Sequence, residues 1–157
     1  MTIGMQAVLM WAALFVAGFL GHLVGDYLIQ NNWMAQNKAR PLHGFSLWPG
    51  STAAQEDDET LAAITAHAIT WAVAVTMPLM VMARLAWGLP GMRAAFIAGL
   101  ILMVIHWIQD RRWPIQWFMR VTGKDPSVVW LLIVVDNVWH LLQIAGAAAW
   151  IVWRMTA

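Results

Sequence analysis

Four uninterrupted apolar blocks constrain this chain more than any other feature. They run from about Met5 to Ile29, Leu61 to Trp87, Met92 to Trp113 and Val128 to Trp153. Each reaches the roughly 20 residues that an α-helix needs to cross a bilayer. None alternates as a strand would, and in lipid a helix satisfies its own backbone. Of the 157 residues, 61% are hydrophobic and only 11% charged, against about 25% charged in an average soluble domain. The expectation is an all-α, polytopic integral membrane protein, with residues 1–157 forming a single transmembrane domain folded as a four-transmembrane-helix bundle. The first block reads as a retained span, not a leader. It has no Lys or Arg before it, no clear small-residue cleavage site, and ends in His22 and Asp26.

The connections set an orientation. The first, Gln30 to Thr60, is the longest and carries the acidic run Glu56-Asp57-Asp58-Glu59, which suits a helix N-terminus. The second is a tight turn around Gly88, Pro90 and Gly91, and the third contains a candidate interfacial helix, Pro114 to Arg120. Lys38, Arg40, Arg111, Arg112, Arg120 and Lys124 fall on the side of the first and third connections, against Arg84, Arg93 and Arg154 opposite. The positive-inside rule then makes those connections cytoplasmic and the termini external. Trp33, Trp113, Trp117 and Trp130 gather near one interface and Trp11, Trp87, Trp150 and Trp153 near the other, as an aromatic belt does.

A net charge of +1 gives no footprint for nucleic acid, and membrane lipid is the expected partner; a homo-oligomer is compatible with the sequence. With no cysteine, thiolate ligands, disulfides and Cys nucleophiles are excluded. H-E-x-x-H, G-x-S-x-G and P-loop signatures are absent as well.

Charge inside the spans carries the functional signal. Asp26, Asp110, Asp136, His22, His67, His106 and His140 all lie within apolar blocks, where an ionised group costs about 2.5–3.5 kcal/mol on insertion scales. His22 and Asp26, His106 and Asp110, and Asp136 and His140 are each four apart, hence on one helix face. Given alternating helix directions, all seven fall in the same membrane half. Imidazole and carboxylate together suit Zn²⁺, with Mn²⁺ or Fe²⁺ as alternatives. Four His and three Asp exceed the needs of one tetrahedral ion and suit two ions bridged by a carboxylate. The competing reading is a metal-free His–Asp hydrogen-bond network between helices, and His67, alone on its helix, fits a core histidine equally well. Gln30 extends the face of His22 and Asp26, and Gln109, Asn137 and Gln143 suit interhelical hydrogen bonds. Arg111 and Arg112 read as membrane anchors or as a grip on phosphate at headgroup level.

His22-Leu-Val-Gly-Asp26-Tyr-Leu-Ile-Gln30, followed by Trp33 and Lys38, resembles the opening signature of a bacterial and phage membrane family catalogued as domain of unknown function 3307. The resemblance extends to His67, to His106 with Asp110, and to Asp136 with His140. It implies the same site residues and a bacterial inner membrane as the location, and names no reaction. A looser similarity to small membrane metal-dependent hydrolases is an analogy of composition. The favoured expectation is metal-dependent hydrolysis of a lipid-linked phosphate or similar amphiphile, with Asp26, Asp110 and Asp136 as candidate catalytic carboxylates. The alternatives are a metal-ion or proton transporter and a non-catalytic phage or bacterial membrane component.

Overall fold

The computed structural model describes residues 2–38 and 57–157. Most of the first connection, including Glu56, lies outside the described residues. Among these residues every regular element is helical. Helix α1, Ile3–Leu23, is capped by Thr2, whose Oγ1 accepts the Met5 N–H at 3.4 Å. It continues as a π-helical stretch, Val24–Ile29, closed by Gln30 N–H donating to the Gly25 carbonyl at 3.2 Å. The expected single α-helix to Ile29 is therefore wider over its last turn, and that turn carries Asp26. Helix α2, Asn32–Asn37, follows at once, with Asn31 Oδ1 accepting the Met34 N–H at 2.9 Å.

Helix α3, Asp57–Gln109, contains the second and third apolar blocks, interrupted at Gly88, where φ is 68° and ψ −151°. That conformation is open to glycine and strained for other residues. The two arms, 57–87 and 89–109, fold back on one another as a hairpin. Trp107 Nε1–H reaches across to Thr65 Oγ1 at 3.2 Å, and a Cβ added to Gly99 would collide with Thr76. The first arm is already helical at Asp57, where the described residues resume, earlier than the apolar pattern suggests. Helix α4, Trp113–Val121, starts from Arg112 in the left-handed region. It buries Ile115 and Met119 while Trp113, Trp117 and Val121 form an exposed stripe. Helix α5, Val129–Thr156, completes the fold.

The core is formed by α1, both arms of α3 and α5 around Leu14, Trp71, Val75, Leu79, Ile144 and Ile151. Close approach depends on glycine. A Cβ at Gly25 would lie 2.8 Å from Trp71 Cδ1, so only a bare backbone fits there. The outside is apolar, with Leu28 77%, Leu85 79% and Leu142 65% exposed, while four histidines are fully buried. A water-soluble protein distributes these groups the other way round. Gly4–Ile29, Glu59–Gln109 and Val129–Thr156 are long and apolar enough to cross a membrane.

Candidate metal centre

The π-helical turn, both arms of α3 and the start of α5 each deliver polar side chains to one buried cluster. Asp110, in the turn after α3, is its hub. Its Oδ2 lies 2.7 Å from Lys38 Nζ, 3.1 Å from His67 Nε2 and 3.4 Å from His106 Nε2, and its Oδ1 lies 3.6 Å from His140 Nε2. Asp26 joins from the opposite side, Oδ1 3.3 Å from His67 Nε2 and Oδ2 3.3 Å from His22 Nδ1. The imidazole rings crowd together, with centroids 5.1 Å apart for His67 and His106 and 4.5 Å apart for His106 and His140.

These separations bear on the two sequence readings. An N–H···O hydrogen bond has its commonest length near 2.9–3.0 Å. An ion with bonds of about 2.0–2.1 Å spaces tetrahedral ligand atoms about 3.3–3.4 Å apart. Most His–Asp separations here fit the second value better. Only the Lys38–Asp110 contact has the length of a charge-assisted hydrogen bond. Asp26, His67 and His106 each offer a ligand atom within 4.8 Å of the others, and so do His106, Asp110 and His140. Among the described residues, Asp26 Oδ1, both nitrogens of His106 and His140 Nε2 are buried without a hydrogen-bond partner. Each such group costs about 1–3 kcal/mol if left unsatisfied. A divalent ion held by imidazole and carboxylate satisfies His106 Nε2 and His140 Nε2 together, so the donor set fits a metal.

Hydrogen bonds around the cluster fix which nitrogens face inward. His140 Nδ1 lies 2.9 Å from the Asp136 carbonyl, an acceptor only, so this nitrogen carries the proton and the Nε2 lone pair points at Asp110. Gln109 Nε2 is 2.8 Å from the same Nδ1, but its two hydrogens go to the Asp136 carbonyl at 3.0 Å and Oδ1 at 2.9 Å, which can only accept. Gln143 in turn donates to Gln109 Oε1. These amides make the interhelical bonds expected of them.

His22 sits differently from the other imidazoles. Trp71 Nε1–H, a donor only, reaches His22 Nδ1 at 3.0 Å, which leaves His22 Nε2–H to donate to Asn137 Oδ1 at 3.0 Å. Both nitrogens are engaged, so His22 forms a wall of the site behind Asp26. Asp136, at 34% side-chain exposure, lies at the edge, 3.9 Å from the proton-bearing nitrogen of His140. All seven sequence candidates thus gather in one region, with Asp26, His67, His106, Asp110 and His140 inside and His22 and Asp136 around them. Gln30 ends the π-helical stretch, its Oε1 buried without a partner among the described residues. Arg111 is half-buried in the turn and Arg112 is exposed as the cap of α4.

Two members were not counted among the site residues from the sequence, although Lys38 closes the signature quoted above. Lys38, at the end of α2, reads there as an orienting charge, yet its ammonium lies 3.0 Å from His67 Nε2 as well as on Asp110. Trp71 is fully buried and stacks on His106 at 3.9 Å between centroids. Its signal was the spacing of four from His67, which puts both on one face. No family model matches the chain, and the comparisons with curated proteins and with solved structures found no match.

Proposed function

We propose that this protein crosses the bacterial inner membrane four times and uses the His/Asp cluster as a metal centre for hydrolysis of a lipid-linked phosphate or similar amphiphile. The observation that carries the reading is the set of buried, partnerless lone pairs of His106 and His140 converging on Asp110. Each arm of α3 has the roughly 20 residues required for a crossing, and the hairpin at Gly88 returns the second arm to the side of the first one's start. The cluster then lies near the interface of the first and third connections, which the Lys/Arg bias makes cytoplasmic. The resemblance of His22-x-x-Gly-Asp26 and the later His/Asp pairs to domain of unknown function 3307 supports the same site.

A divalent ion held here would supply Lewis acidity at a phosphoryl oxygen, and zinc is the ion best suited to the N/O donors. Asp110 and Asp26 face imidazoles and hold the centre. Asp136 is the most exposed of the three carboxylates and is oriented by Gln109, so it is the one placed to take a proton from attacking water. Arg111 and Arg112 follow Asp110 at headgroup level, where guanidinium suits an anionic substrate. The exposed stripe Trp113-Trp117-Val121 would seat α4 in the interface beside them.

One observation favours a transporter. The polar contacts continue from His140 through Gln109 to Gln143, one turn further along α5. Reconstitution into vesicles with Zn²⁺ or Mn²⁺ separates the readings. Release of phosphate from phosphatidic acid or a prenyl diphosphate, lost on Asp110→Asn, is expected. Zinc or proton flux dependent on Asp110, with no turnover, would replace the hydrolase by the transporter.

A further inference from the structure

Asp26, His67 and His106 form one candidate triad, and His106, Asp110 and His140 the other. They overlap at His106. A neutral imidazole has one lone pair to give, so two ions cannot both take this histidine. The triads also differ in what already faces them. On the His67 side an ammonium is in place, with Lys38 Nζ 3.0 Å from His67 Nε2 and 2.7 Å from Asp110 Oδ2. On the His140 side no cation is in place among the described residues: His106 Nε2 and His140 Nε2 make no hydrogen bond and face Asp110 at 3.4 Å and 3.6 Å.

Resting on the metal reading above, we propose that Lys38 is the second cation of this centre, filling the place where a second ion would sit, while a single divalent ion takes His106, Asp110 and His140. Charge supports one ion. Three carboxylates and one ammonium formally leave two negative charges, which one divalent ion cancels and two would overshoot. Two histidines and one carboxylate are a sufficient set, with open positions for an oxyanion. The Lys38 side chain is 14% exposed and so reaches the edge of the cluster. In two-metal hydrolysis the second ion stabilises the charge of the phosphoryl oxygens. Here the ammonium of Lys38 provides that charge, and the substrate class is an oxyanion, phosphate before carboxylate.

The test is metal content of the purified full chain in detergent, measured by mass spectrometry after Zn²⁺ loading and dialysis, with helical content checked for each variant. Wild type should hold one ion per chain. His140→Ala should lose it at least tenfold, and His67→Ala should retain more than half. Lys38→Met should rise toward two ions and return to one when combined with His67→Ala, while Lys38→Arg stays at one. Two ions in wild type would overturn the proposal, as would a single ion lost with His67 and not with His140. No ion in wild type or in Lys38→Met would remove the metal reading itself, and this inference with it.

Discussion

Trp71 and His106 lie ring on ring, 3.9 Å apart at an interplanar angle of 10°, while the same indole donates its N–H to His22 at 3.0 Å. One side chain thus supports two imidazoles by different means, packing for His106 and a hydrogen bond for His22. Trp71→Phe keeps an aromatic ring against His106 and removes the donor. It should destabilise by about 1–3 kcal/mol, the cost of a buried polar atom left unsatisfied. Trp71→Ala should cost about 3–5 kcal/mol, since it also opens a cavity. Thermal unfolding in detergent reads both; no loss in Trp71→Phe would show that the N–H is unimportant, and equal losses that the ring packing is.

Gly25 allows the π-helical turn to lie against Trp71. A Cβ there would approach Trp71 Cδ1 to 2.8 Å, whereas one at Gly146 would meet nothing within 4 Å. Gly25→Ala should therefore displace Trp71 and with it the His106 ring stacked on it, and weaken Zn²⁺ binding about tenfold, or about 1.4 kcal/mol. Gly146→Ala should leave binding unchanged and, in mid-helix, leave stability equal or better by up to about 1 kcal/mol. Competition with a zinc indicator measures the first effect.

The three carboxylates should not behave alike. Asp110 is within 3.6 Å of three imidazoles and one ammonium, while Asp136 Oδ1 is bonded to an amide and stands outside. Asp110→Asn should abolish Zn²⁺ retention. Asp136→Asn should retain it while phosphate release falls about 10²-fold or more, in the range of a lost general base. Zinc loss of equal size in the two variants would show that Asp136 is a ligand.

Because the chain has no cysteine, single-cysteine labelling is clean. Thr2 and Ser127 are both exposed, at opposite ends of the fold. Thr2→Cys should react with an impermeant maleimide added to intact cells, and Ser127→Cys only after lysis. The inverse pattern would reverse the orientation and put the cluster on the external side.

The site was legible where helix periodicity governs it. Spacing of four identified His106 with Asp110 and Asp136 with His140, and burial of charge in apolar blocks marked them as partners of one another. Spacing gives the face but not the position across that face. It could not show that His22 and Asp136 stand at the edge, because that depends on how Trp71, Asn137 and Gln109 reach across from other helices. The place of Lys38 in the site, as distinct from its place in the signature, was hidden for a related reason. On a short helix beside the first span it carries the same sign as an anchoring residue, and only the packing of α2 against α3 turns it inward. The π-helical turn left no mark in an apolar pattern, since Val24, Leu28 and Ile29 suit lipid in either helix type.

The turn at Gly88 acts as a ruler. His67 and His106 hang from it at about 31 Å and 27 Å of helix respectively, taking 1.5 Å per residue, and their meeting depends on the two lengths being matched. An extra residue anywhere between His67 and Gly88 would move one imidazole by about 1.5 Å and swing it about 100° around its arm, with no change to any residue of the cluster. Substitutions in the arms are therefore graded by volume, but insertions and deletions there are all-or-none for the chemistry.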